Sequence, residues 1–242
     1  MPLLGRILLV LLLTVAAQAR EIKIAVGLSL PPYVIQSSNS GIELDIVAQA
    51  LADSGHTIKP LYFPFARVPV AVQDGEADAA ITISESSGIK AAYSDSHISY
   101  QNFAISLARN KFKIASIDDL ARHSVAAFQN AKLYLGDRFA AMASANKGYG
   151  EYAQQVKQNM LLYTGRVDVI VGDRNIFKYF NDEAKQAGID TSQPVAYHEI
   201  FPPTPYRVAF RDAALRDAFN AALKKMRSDG RYDAIMKKYQ AR

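Results

Sequence analysis

Asp173 is the side chain best placed to do chemistry. It closes the apolar run Val167 to Gly172 and precedes a helical pattern that opens at Arg174. The C-terminal edge of a buried strand is where α/β sheets form ligand sites, and a carboxylate there needs partners because an unpaired buried charge is costly. Capping the following helix is a second role open to it, compatible with the first. Other chemistry is weakly signalled. His56, His97, His123 and His198 stand far apart, and cysteine is absent, so no zinc site is expected. No Gly-x-Ser-x-Gly elbow supports a nucleophilic serine. Gly148-Tyr149-Gly150-Glu151-Tyr152-Ala153 has the letters of a dinucleotide fingerprint but follows polar Asn146-Lys147 rather than a strand, so no cofactor is expected. Asp118-Asp119 opens a helix and reads as capping rather than acid–base machinery.

The elements that must position Asp173 alternate in type. Glu21 to Gly27 carries Ile22, Ile24 and Val26 at period two, as in a buried strand. Leu30-Pro31-Pro32-Tyr33 must be a turn or extended loop, since proline fixes its own φ and restricts its predecessor. Gly41 to Ser54 puts Ile42, Ile46, Val47, Ala50 and Leu51 on one helical face, with Gly55 as the stop. Strands are expected at Thr57 to Phe63, Ala79 to Ile83, Phe103 to Leu107, Val125 to Phe128, Val167 to Gly172 and Val195 to Ile200. Helices are expected at Phe65 to Gln73, Leu133 to Ala145 and Arg174 to Gln186, and a short one after the Ser116 cap with Asp119 at the capping-box position. Two further helices follow: Leu215, Phe219, Leu223 and Met226 share one face, and Tyr232, Ile235, Met236 and Tyr239 the next. Strand–helix alternation points to parallel α/β sheets.

The start of the chain reads as an export signal. Arg6 precedes the apolar run Ile7 to Val15, and Ala17-Gln18-Ala19 gives a small-x-small cleavage pattern. That run is too short to span about 30 Å of hydrocarbon. Cleavage after Ala19 is expected to release a periplasmic protein, and with no cysteine it carries neither disulfides nor a lipid anchor. The net charge of +5 is spread without a block of like charges, which argues against a nucleic-acid partner.

Several short segments in order carry a resemblance. They are Leu30-Pro31-Pro32-Tyr33, Gly41-Ile42-Glu43-Leu44-Asp45-Ile46, Gly75-Glu76-Ala77-Asp78-Ala79, Tyr93-Ser94-Asp95, Gly165-Arg166-Val167-Asp168 leading to Asp173, and Phe219 to Leu223 with Asp229-Gly230. The chain resembles bacterial extracellular solute-binding proteins of family 3, which serve polar amino acid ABC transporters. That resemblance implies a type II periplasmic binding fold: two α/β lobes joined by two hinge strands. Lobe one would comprise 20–106 and 201–242, lobe two 107–200, with hinges near 103–110 and 195–201. It implies that Phe65 stacks on the ligand and that Tyr33 lines the same wall. Thr82 and Ser84 would bind the ligand's carboxylate, and Asp173 its ammonium.

The sequence departs from the family's pattern on the carboxylate side. The family's clamping arginine after the third strand aligns with Lys90 or Ser87, and Lys90 offers a point charge without the planar fork. The turn opening the second lobe's helix is Asn130-Ala131-Lys132, and Arg67 is a further anion candidate. A monomeric binding protein, not an enzyme, is expected, capturing an amino-acid-like or acidic solute for a membrane permease. The alternatives are a dehydratase of prephenate or arogenate using Glu85 or Asp173, and a sensor presenting its closed form to a membrane receptor.

Overall fold

The computed structural model describes residues 19–28 and 30–240; the expected export signal, apart from Ala19, lies outside them. Two mixed sheets, each covered by helices on both faces, make up the chain. In order the elements are β1 (Glu21–Gly27), α1 (Ile42–Ala52), β2 (Thr57–Phe63), α2 (Val68–Gln73), β3 (Ala79–Ile83), β4 (Ala92–Tyr93), β5 (Ile98–Tyr100) and β6 (Asn102–Leu107). There follow β7 (Val125–Phe128), α3 (Ala131–Tyr134), α4 (Asp137–Ala145), β8 (Tyr149–Tyr152), α5 (Gln155–Tyr163) and β9 (Val169–Asp173). The chain then runs through α6 (Arg174–Gln186), β10 (Val195–His198), β11 (Thr204–Phe210), α7 (Ala213–Ser228) and α8 (Arg231–Gln240).

The first sheet has the order β2-β1-β3-β11-β4, with β5 paired to β11, and the second β10-β6-β9-β7-β8. The expected all-parallel pairing holds only around β1 and β7. Strand β11 runs antiparallel to β3, β4 and β5, while β6 runs antiparallel to β9 and β10. These are the strands by which the chain enters or leaves a sheet, so they have no helical crossover to force them parallel.

Apolar alternation explains the layers. Ile22, Ile24 and Val26 of β1 pack with Ile42, Ile46 and Leu51 of α1 and Phe219 and Met226 of α7, all buried. The opposite face carries Ala25, Ala80 and Ala209 beneath Val68 and Val72 of α2. In the second sheet Val169 and Val171 face Phe139 of α4, and Ile105 and Ile170 face Leu162 of α5 and Phe177 of α6. Each such aliphatic or aromatic side chain contributes roughly 1.5–3 kcal/mol when withdrawn from water. Helix α6 also reaches the first lobe, where Ile176 joins the cluster around β1 and α1 and Phe180 packs against it.

The segment expected as one helix from Leu133 to Ala145 is two, α3 and α4, broken at Leu135-Gly136, where Gly136 takes φ +85°. The crossings also differ from the expected boundaries. Strand β6 belongs wholly to the second sheet because Phe103, Ile105 and Leu107 bury on the α5–α6 side. Gln101 alone separates β5 of the first sheet from β6 of the second, and residues 199–203 link β10 to β11.

Candidate functional site

Tyr33 is placed by the start of α1. The amides of Ile42 and Glu43 donate to the carbonyls of Pro32 and Tyr33 at 2.9 and 3.0 Å. Gly41 must be glycine there: its φ is +131°, and a Cβ would lie 2.3 Å from the Tyr33 carbonyl oxygen. So held, the Tyr33 ring stacks on Tyr100 at 3.8 Å between centroids. Its hydroxyl lies 3.0 Å from both carboxylate oxygens of Asp173 and donates to them.

Asp173 ends β9 and caps α6, accepting from the amides of Asn175 and Ile176 at 2.8 and 3.1 Å. The Gln101 amide, on the crossing between sheets, donates to its other oxygen at 3.1 Å. Asn175 Nδ2 donates to the Tyr33 hydroxyl at 2.9 Å, closing the ring of contacts. Asp173 is 5% exposed. Burial pushes its carboxyl above the usual aspartate range, against the pull of the Ile176 and Gln101 amides and the Tyr33 hydroxyl. Every one of its partners is a neutral donor, and no described lysine or arginine pairs with it. It is a buried carboxylate at the lobe junction, bordering an open recess. The cap expected of its position is in place.

Several of the residues expected to hold a carboxylate face acids of the chain itself. Thr82, in the left-handed region at φ +57°, gives its amide and hydroxyl to Glu43 at 2.8 Å each. The remaining lone pairs of Glu43 take His97 Nε2 at 2.8 Å and the Tyr100 hydroxyl at 2.7 Å. Burial pushes Glu43 up, but the hydrogen bond and charge of His97, with Tyr100 and Thr82, bring it below the ordinary glutamate range. Arg67 pairs with Glu76 and, at 3.5 Å, with Asp74. The amides of Asn130 and Lys132 donate to Glu151 at 2.8 and 3.1 Å, and Tyr149 completes that carboxylate at 2.9 Å. Ser84 is half-buried just after β3, and Lys90 is exposed between β3 and β4. Phe65, 47% exposed, meets Tyr134 of α3 edge-on at 6.5 Å across the two lobes. Glu85, the other candidate acid, pairs with Arg207 at 3.3 Å.

The structure thus brings Tyr33 and Asp173 together and turns Thr82, Arg67 and the main-chain amides of Asn130 and Lys132 toward acids of the chain itself, with Phe65 half exposed across from Tyr134. Glu43, His97, Tyr100, Gln101 and Glu151 join these contacts without having been expected at a site. Glu43 carried a signal: with Ile46, Val47 and Ala50 three, four and seven positions on, it is an acid on the apolar face of α1. Among the described residues no group of His, Cys, Asp and Glu is arranged to hold a metal ion.

Two α/β sheets joined by two short crossings, with a buried carboxylate between them, define a two-lobed solute-binding protein. The sequence profile of bacterial extracellular solute-binding proteins, family 3, matches residues 22–242, and the chain belongs to that family. The ABC transporter glutamine-binding protein GlnH of Bacillus subtilis (strain 168) is 29% identical over 209 residues, covering 82% of this chain and 72% of its own. An ancestral cationic amino acid solute-binding protein superposes with a TM-score of 0.70 at 21% identity, covering 90% of this chain and 95% of its own. A histidine kinase sensor domain similar to periplasmic binding proteins does so with a TM-score of 0.66 at 19% identity and the same coverage. These two likenesses bear on the fold alone. By family and relative, this is a solute-binding protein of the amino acid ABC transporter type.

Proposed function

We propose that the protein works in the periplasm, captures a small amine-bearing, amino-acid-like solute between its lobes and delivers it to an ABC permease. Asp173 carries this reading. It takes hydrogen bonds from Tyr33 of the first lobe, Gln101 of the crossing and the α6 amides of the second, yet has no cation. An ammonium group arriving there would gain charge-assisted hydrogen bonds. Because the partners come from both lobes, the solute would favour the closed arrangement and shift the population toward it. A purely acidic solute is disfavoured because it would meet the Asp173 carboxylate in the recess, while Thr82, Arg67 and the amides of Asn130 and Lys132 already face acids.

Thermal-shift and calorimetric titration of the full chain against the common amino acids tests the proposal. A bound solute at one hundred times its Kd is expected to stabilise by about 2.7 kcal/mol. If no amino acid binds, the amino-acid reading falls. Mass spectrometry of small molecules released from the purified protein would name the solute directly.

A further inference from the structure

Thr82, Arg67 and the amides of Asn130 and Lys132 are occupied by the chain's own acids, which leaves open where an amino acid's carboxylate would go. The residue next to Asp173 provides an answer. Arg174, the first residue of α6, holds its guanidinium 4.6 Å from the Phe103 ring of β6 and 4.7 Å from the Tyr197 ring of β10. Neither a hydrogen bond nor an ion pair to any described residue engages it, and it is exposed. Lys178, one turn further along α6, is likewise exposed and unpaired. With Ser99, Gln101 and Phe103 these two cations line an open polar recess of about 300 Å³, and Asp173 and Tyr33 border the same recess. That volume falls at the small end of the range for ligand sites.

We propose that this recess is the head-group site for a zwitterionic α-amino acid, with Asp173 taking the ammonium and Arg174 the carboxylate. The two aromatic rings fix the plane of the guanidinium while leaving its edge donors free. A fixed planar fork with free N–H groups suits bidentate recognition of a carboxylate, which a lysine cannot reproduce. Lys178 adds positive charge to the same wall. The recess takes residues from both lobes, Tyr33 and Ser99 on one side and Arg174 on the other, so its occupant would bridge them. This assignment rests on the capture reading above and specifies the contact made by the carboxylate.

The test is calorimetry on the full chain with each common amino acid and its decarboxylated amine, such as agmatine beside arginine or ethanolamine beside serine. The tightest amino acid is expected to bind wild type about tenfold or more tighter than its amine, the margin of a charged hydrogen-bond pair. Arg174→Gln is expected to erase that margin by weakening the amino acid and leaving the amine unchanged. Arg174→Lys, which keeps the charge and guards against a misfolded variant, should restore only part of it. The assignment is overturned if the amine binds as tightly as its parent, or if a folded Arg174→Gln binds the amino acid like wild type. Binding of neither acids nor amines by wild type would overturn the capture reading itself, and the assignment with it.

Discussion

Glu43 and Asp173 are both carboxylates withdrawn from water, linked through the stacked rings of Tyr100 and Tyr33. Their surroundings differ in kind. Glu43 is fully buried in the first lobe, and Thr82 of β3 with His97 and Tyr100 at β5 satisfy it. Asp173 sits at the lobe junction beside an open recess, held by neutral donors alone. The first arrangement lowers the carboxyl pKa and the second leaves it raised. Burial alone therefore does not decide the direction in which a carboxyl pKa moves. What distinguishes the two is His97 at one and an open recess at the other.

The largest effect should come from dismantling the Glu43 cluster. Glu43→Ala leaves several buried donors without an acceptor, at about 1–3 kcal/mol each, so a loss of at least about 3 kcal/mol is expected. For a chain of this size that lowers the melting temperature by about 6–12 °C in calorimetry. A loss under about 1 kcal/mol would break the contrast. Asp173→Asn should cost less: asparagine still caps α6 through its oxygen, and only the Gln101 amide loses its acceptor, so a loss of about 1–3 kcal/mol is expected. Affinity for an amine-bearing solute should fall about tenfold or more by titration calorimetry. Unchanged affinity would remove Asp173 from the site.

The pH dependence separates the two acids by sign. A raised folded pKa means that the contribution of Asp173 is present below the ordinary aspartate value, about 3.9, and is lost as pH rises through the raised value. Glu43 contributes above the ordinary glutamate value, about 4.3, and its contribution is lost as pH falls through the lowered value. In melts across the acid range, Asp173→Asn should therefore gain on wild type as pH rises, while the deficit of Glu43→Gln should shrink as pH falls. Matching slopes for the two variants would sink the distinction. The smallest effect belongs to Arg67, whose partners Glu76 and Asp74 are about half exposed. Arg67→Gln should change stability by less than about 1 kcal/mol and leave solute affinity as it was.

What the sequence allowed to be read follows from how local each signal is. Strands β1 and β3 and helices α6 and α7 declare themselves through their own period, and Asp173 through its place at a strand end. Strand β11 was hidden because Thr204-Pro205-Tyr206-Arg207 is polar and proline-bearing, and it becomes a strand only by pairing with β3 and β5. Polar α5 is another such element: Asn159 of that helix is buried and hydrogen-bonds to Phe177 and Asn181 of α6. The site divides in the same way. Tyr33 and Asp173 lie far apart in sequence, and their bond depends on how the two sheets meet. Glu151 reaches the α3 amides from β8, an edge strand whose polar residues do not look like one. The aromatic clamp on Arg174 requires β6 and β10 to lie side by side, a pairing no local pattern announces.

Ile176 has a consequence for heat. It belongs to α6 of the second lobe yet is buried in the cluster built on β1 and α1, with Phe180 packed against the same cluster. Any parting of the lobes at this seam would wet apolar surface. Opening would then raise the heat capacity, and closure on a solute would carry a negative change. Because apolar attraction weakens on cooling, the seam holds the lobes together more loosely in the cold than in the warm.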